Sequence, residues 1–193
     1  MLTILSQNTS DVNSGRAFRS LEERFPAWEE VLDAPVDEVT DAIRSGGIAN
    51  VKARRIQQIL AAIEAREGAL DLSRLRRMSD HEARAYLLAL PGVGPKTAAC
   101  VLAFSLRRPA FPVDTHVHRV ARRLGLVDDK ASADATHAAL EPVVPPELRY
   151  EFHVRLIRHG REVCRPRFPR CSACVLYDLC PSGSLFVAGG EAR

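Results

Sequence analysis

Six residues carry most of the chemistry that this sequence advertises. One is a lysine. The chain holds 27 Lys and Arg residues, yet only Lys52, Lys96 and Lys130 are Lys. Arginine serves wherever a plain surface cation is needed, so a lysine just behind the glycine turn of LPGVGPKT, Leu90–Thr97, is a choice to be explained. Arg stays protonated in proteins, whereas a desolvated Lys amine can lose its proton and attack a carbon centre. For that work its reference pKa of about 10.4 must fall towards about 7–8, through desolvation, neighbouring cations or the positive end of a helix. The second residue is Asp114, eighteen positions on, in FPVDTHVHRV. Its type and position before a helix suit an N-cap, and capping leaves a carboxylate free for a second role.

The other four are Cys164, Cys171, Cys174 and Cys180, in the pattern C-x6-C-x2-C-x5-C. No segment shows the order of a signal peptide, so a reducing compartment that disfavours disulfides is expected, and the four thiols read as metal ligands. Spacing alone leaves zinc and a [4Fe-4S] cluster both open. The fifth, Cys100, falls in TAACVLAF and reads as a small buried apolar residue. His116 and His118 lie two apart on one helix and so face different ways, which suits packing or hydrogen bonding rather than a shared metal.

The elements that must position these groups are helices. The chain of 193 residues is 46% hydrophobic and 26% charged with net charge +3, the balance of a globular protein that tolerates a nucleic-acid partner. No apolar run reaches the roughly 18 residues of a membrane span. Strand signal is almost absent, and apolar residues recur at helical spacing. RAFRSLEERF puts Phe18, Leu21 and Phe25 on one face. NVKARRIQQILAAIEAREG does the same with Ile56, Ile59, Leu60 and Ile63, with Asn50 as N-cap and Gly68 as stop. Ser79 and Glu82 have capping-box spacing before a helix that runs to Leu90. KTAACVLAFSLRR is the next helix, THVHRVARRLGL follows with Val117, Val120, Ala121 and Leu124, and PELRYEFHVRLIRHG ends at Gly160. The expected architecture is all-α, in two lobes. Residues 1–108 form a helical barrel carrying the hairpin, residues 109–180 form a second helical lobe with the cysteines, and 181–193 form a flexible tail.

The two helices joined by LPGVG form a helix-hairpin-helix. Gly92 and Gly94 permit a tight turn and close approach of backbone to something outside. Pro95 costs little in a first turn, and the free N–H groups there suit a phosphate. A plain interhelical turn is the competing account.

LPGVGPKTA followed by FPVDTHVHRV resembles the helix-hairpin-helix DNA glycosylases, specifically the endonuclease III family, and the likeness extends from about Leu2 to Cys180. It implies a two-lobed glycosylase fold with a C-terminal iron–sulfur cluster loop and a cleft between the lobes. Lys96 and Asp114 would be its catalytic pair, and the four cysteines would bind [4Fe-4S]. The implied activity is glycosylase and AP lyase on oxidised pyrimidines such as thymine glycol, with double-stranded DNA carrying damaged bases or abasic sites as partner. Lys96 itself favours the lyase branch, because glycosylase-only relatives lack a lysine there. By the same resemblance LSQNTSD and GGIANVKARR match loops that enter the duplex, placing Gln7 or Asn8 at one position and Ile48 at the other. Arg165, Arg167 and Arg170, on the proline-stiffened RPRFPR segment between the first two cysteines, suit DNA phosphates. Family members usually carry about twenty residues before the LSQ helix, so less apolar burial is expected for a chain that opens on MLTIL. A monomer in the cytoplasm, associated with the nucleoid, is the expected setting. The rivals are the same scaffold acting on thymine or uracil opposite guanine, an inert DNA-binding module, and a zinc-stabilised interaction domain.

Overall fold

The computed structural model describes residues 1–188. Among them are helices, short 3₁₀ turns and loops, and no strand. None of these helices is long and apolar enough to cross a membrane. The chain divides into two compact units, Met1–Val101 and Leu102–Arg193.

In the first unit, α1 (Leu2–Leu5), α2 (Asp11–Arg24), α3 (Trp28–Asp33) and α4 (Val36–Ala42) precede the long α5 (Ala49–Glu67). The helical spacing of α5 turns Ile56, Ile59, Leu60 and Ile63 inward, and all four are buried. Each such side chain contributes about 1.5–3 kcal/mol. Leu5, Leu21, Val31, Val39 and Ile43 complete this core. The Ser10 side chain caps α2 by accepting from Asn13 N. Gly68 ends α5 in the left-handed region, at φ 73°. The start of α5 departs from expectation. Asn50 lies inside the helix, and the N-cap is Ile48 in the left-handed conformation, because the Gly46-Gly47 turn brings the chain in from an unusual direction. The expected capping box forms in α6 (Asp80–Leu88): Ser79 Oγ accepts from Glu82 N, and Ser79 N donates to the Glu82 carboxylate at 2.8 Å.

Past the hairpin, α7 (Pro95–Cys100) runs straight into a turn of π-helix over Val101–Ser105. The units part inside this segment, ahead of the proline-bounded stretch 107–114 that the sequence favours. Arg108 N donates to Leu102 O at 2.9 Å, which folds the last turn onto the residues that follow.

The second unit holds α8 (Thr115–Arg123), α9 (Ala133–Leu140), α10 (Arg149–Glu162) and α11 (Gly183–Ala188). Its core gathers Phe111, Val113, Val117, Val120, Leu140 and Leu156. The Phe111 ring stacks on Phe152, with centroids 5.7 Å apart. Gly160 is not a helix stop, and α10 continues to Glu162. A Cβ at Gly160 would lie 3.0 Å from the His116 Cβ, so this glycine is where α8 and α10 cross closely. The segment expected as a flexible tail, 181–193, contains one short helix. Residues Gly183–Ala188 form α11, held by the Phe186 ring 4.4 Å beneath the Arg123 guanidinium and by Tyr177 packed on Gly183. Residues 189–193 lie outside the described residues.

Candidate active site and cysteine pocket

The hairpin is built as its glycines suggest, but they work differently. Gly92 sits at φ 69°, and a Cβ there would lie 2.3 Å from Arg55 Nε. The left-handed turn favours glycine at that position, and any side chain would also displace Arg55. Gly94 is the N-cap of α7 at φ −91°, with open space where a Cβ would point. No side chain caps α7, so the N–H groups of its first turn are left for an outside acceptor. Lys96 is the second residue of that turn, half-buried, with no hydrogen bond or ion pair to any described residue. Thr97, next to it, is buried and accepts from Gln7 Nε2 at 3.0 Å.

The two wedge candidates, Gln7 and Asn8, differ in their contacts. Gln7 spans from Thr97 to Arg55, whose Nη1 donates to Gln7 Oε1 at 3.4 Å, so its amide braces α7. Asn8 is exposed, has φ 52°, and makes no side-chain hydrogen bond with the described residues. Ile48 is 56% exposed at φ 49°. A β-branched residue is a rare occupant of that region.

A buried polar group that sequence reasoning missed joins the turns that carry these two residues. Lys52 is only 4% exposed, and its Nζ donates to Leu5 O at 2.6 Å, Thr9 Oγ1 at 2.6 Å and Gly46 O at 2.8 Å. Desolvation pushes its ammonium below the ordinary lysine range. The only advance signal was the scarcity of lysine itself.

In the second unit, Asp114 caps α8. Its Oδ1 accepts from His116 N at 2.9 Å and Val117 N at 2.8 Å, while Oδ2 accepts from no described group. The two histidines behave as expected. His118 Nδ1 bonds Thr136 Oγ1 at 2.9 Å, and since that hydroxyl donates to Ser132 O, the histidine is the donor. Burial, and then Arg122, lower the His118 pKa. His116 Nδ1 lies 3.1 Å from Arg119 Nη2, which also donates to Gly160 O.

The four cysteines Cys164, Cys171, Cys174 and Cys180 line one pocket. Burial first, then the charges of Cys164, Cys174 and Cys180, push the Cys171 thiol up. Four thiolates facing one pocket repel one another unless a cationic centre sits among them. No three Cys, His, Asp or Glu side chains among the described residues converge tightly enough for a single ion. As soft thiolate donors the four suit an iron–sulfur cluster as well as zinc. Arg123 Nη1 donates to Cys164 Sγ at 3.3 Å and to Arg165 O at 2.7 Å, holding the loop against α8. Arg165, Arg167 and Arg170 all project from that loop and are exposed.

Comparison with known proteins settles the ancestry. Residues 1–146 match the HhH-GPD superfamily, described as base excision DNA repair proteins. The sequence is 35% identical over 178 residues to endonuclease III of Thermotoga maritima, covering 92% of this chain and 79% of that one. The chain belongs to the endonuclease III family. A solved non-covalent endonuclease III–DNA complex superposes with a TM-score of 0.85 at 32% identity, covering 97% of this chain and 83% of that one. Like other endonuclease III family members, the protein is therefore a base-excision DNA repair enzyme of the glycosylase class. An Arabidopsis thaliana protein named "Putative DNA glycosylase" is 43% identical over 158 residues, 82% of this chain. The chain spans 54% of that relative's length.

Proposed function

We propose that this protein is a bifunctional DNA glycosylase and AP lyase that removes oxidised pyrimidines, thymine glycol among them, from double-stranded DNA, acting as a monomer. The observation that carries the reading is Lys96: one of three lysines, at the uncapped mouth of α7, engaged by no other described side chain. As a neutral amine its Nζ attacks C1′ of the damaged nucleotide. The N–C1′ bond forms as the glycosidic bond breaks, and the base departs with the bonding pair and takes up a proton. Ring opening and loss of the amine proton leave a Schiff base. Removal of a C2′ proton then expels the 3′ phosphate by β-elimination, and water releases the enzyme. Asp114, with Oδ1 committed to capping and Oδ2 unengaged, counters positive charge building on the sugar or relays a proton during base departure.

DNA is held by phosphate contacts at the first turn of α7 behind Gly92 and Gly94, and by Arg165, Arg167 and Arg170. Asn8 and Ile48 enter the stack where the damaged nucleotide leaves it. The cysteine pocket holds a [4Fe-4S] cluster through Cys164, Cys171, Cys174 and Cys180, and the cluster's part is to order the loop that carries the arginines.

Borohydride trapping tests the central step. Wild type and Lys96→Ala are incubated with duplexes carrying thymine glycol, uracil or thymine opposite guanine, or an abasic site, and then reduced. A covalent adduct in wild type that is absent from the variant is expected, with thymine glycol preferred over the mismatches. Binding without an adduct on any of these duplexes refutes the lyase reading.

A further inference from the structure

Lys52 is a buried cation with no carboxylate partner among the described residues, and nothing in the proposed chemistry uses it. Its three N–H bonds have three acceptors, which exhausts an ammonium's donors. The acceptors come from two separate turns. Leu5 is the last residue of α1, and its carbonyl belongs to the set a helix C-terminus leaves without partners. Thr9 closes the turn that follows, and its hydroxyl also bonds Gly46 O. Gly46 belongs to the turn before α5. Between Leu5 and Thr9 stands Asn8, and between Gly46 and Lys52 stands Ile48. These are the two exposed left-handed residues of the first unit outside glycine. The Lys52 backbone takes part too, its N–H donating to Ile48 O at 3.1 Å.

A left-handed isoleucine persists only where its surroundings over-determine it. A methionine here would fill the same space and leave the carbonyls of Leu5 and Gly46 short of a donor. An arginine, planar and longer, would not bring three donors to one point.

We propose that Lys52 is a positioning residue for DNA, its ammonium locking the 5–9 and 44–48 turns together so that Asn8 and Ile48 are presented to the duplex as one preformed wedge. This rests on the reading, made above, that Asn8 and Ile48 enter the stack. Lys52 touches neither DNA nor the reacting atoms. It removes the need to order two loops at the moment of base extrusion.

Lys52→Met keeps the stem and deletes the ammonium, and Thr9→Val deletes one acceptor at near-constant shape. Three readouts apply: the melting curve, the fluorescence of 2-aminopurine beside a tetrahydrofuran site as a measure of stack opening, and borohydride trapping on an abasic site in duplex and in single-stranded DNA. Single-stranded DNA needs Lys96 but no wedge. The duplex-to-single-strand trapping ratio is expected to fall about tenfold or more in Lys52→Met and about threefold in Thr9→Val, with the 2-aminopurine signal falling in step. Adding Ile48→Ala to Lys52→Met should then cost little more, since coupled residues do not add. A ratio within about twofold of wild type, equal losses on both substrates, or independent losses in the double variant each overturn the proposal. Should Lys52→Met fail to fold, Thr9→Val is judged by the same criteria. The single variants Asn8→Ala and Ile48→Ala separate the two levels. If both open and cleave the duplex like wild type, the wedge reading falls and the proposal with it. If they are impaired while Lys52→Met is not, Lys52 alone is acquitted.

Discussion

Alanine at Gly92 and alanine at Gly94 perturb the hairpin in opposite ways. At Gly92 the left-handed backbone costs an L-residue about 1–2 kcal/mol. The new methyl also meets Arg55 at 2.3 Å from Nε, 2.6 Å from Cδ and 2.7 Å from Cζ, so the arginine must leave the turn. Its bond to Gln7 Oε1 goes with it, for a further loss of about 0.5–1 kcal/mol. Gly92→Ala should therefore lower the unfolding free energy by about 1.5–3 kcal/mol. Gly94 is at φ −91° with open space ahead of it. Alanine is a poorer N-cap by about 0.5 kcal/mol, and the stiffer unfolded chain offsets that by a similar amount. Gly94→Ala should leave stability within about 0.5 kcal/mol of wild type. Its effect belongs instead to DNA: a methyl where backbone must approach a phosphate should weaken binding about tenfold and flatten the salt dependence. Urea unfolding read beside fluorescence anisotropy on a tetrahydrofuran duplex makes both measurements. Equal destabilisation by the two variants would refute the geometry. Wild-type affinity in Gly94→Ala would refute the hairpin as a phosphate site.

Ile48→Gly removes left-handed strain and sacrifices little burial, so it should raise the urea midpoint by the equivalent of about 0.5–1 kcal/mol while slowing cleavage of duplex substrate. The protein as purified should absorb visible light and carry about four irons per chain, and Cys171→Ser should lose both. Removing the iron should raise hydrogen exchange from Cys164 through α11 before the rest of the second unit. His118 has a folded-state pKa below its ordinary 6.5, so the unfolded chain takes up that proton first. Its stability contribution is whole above pH 6.5 and is lost as pH falls through it, down to the folded pKa. Urea midpoints should drop less steeply between about pH 7 and 5 in His118→Gln than in wild type.

What could be read in advance was what is local in sequence. The cap of α6 needs only Ser79 and Glu82 three apart, the hairpin needs Gly92 and Gly94 beside Lys96, and the cap of α8 needs only Asp114 before an apolar repeat. What escaped depends on groups that arrive from elsewhere. Lys52 looked like any cation on a helix, because Leu5 and Thr9, whose oxygens help to bury it, lie 47 and 43 residues back in the chain. Gly160 read as a helix stop because nothing near it announces that His116 packs against its backbone. Asn50 lost the N-cap of α5 to Ile48, since the entry of that helix is set by the left-handed turn rather than by the best capping side chain. The order of α11 likewise rests on Arg123, far back on α8, lying over Phe186.

The sealing of Lys52 leaves this protein with unusually simple amine chemistry. Of its three side-chain amines, one is locked among oxygens in the interior, Lys130 is exposed on a loop, and Lys96 is half-buried at the hairpin. A reagent that acylates or reductively methylates amines has only two side chains to choose between. Lys130→Arg would leave one, making the proposed nucleophile a unique lysine handle that needs no engineered cysteine and spares the four thiols of the pocket.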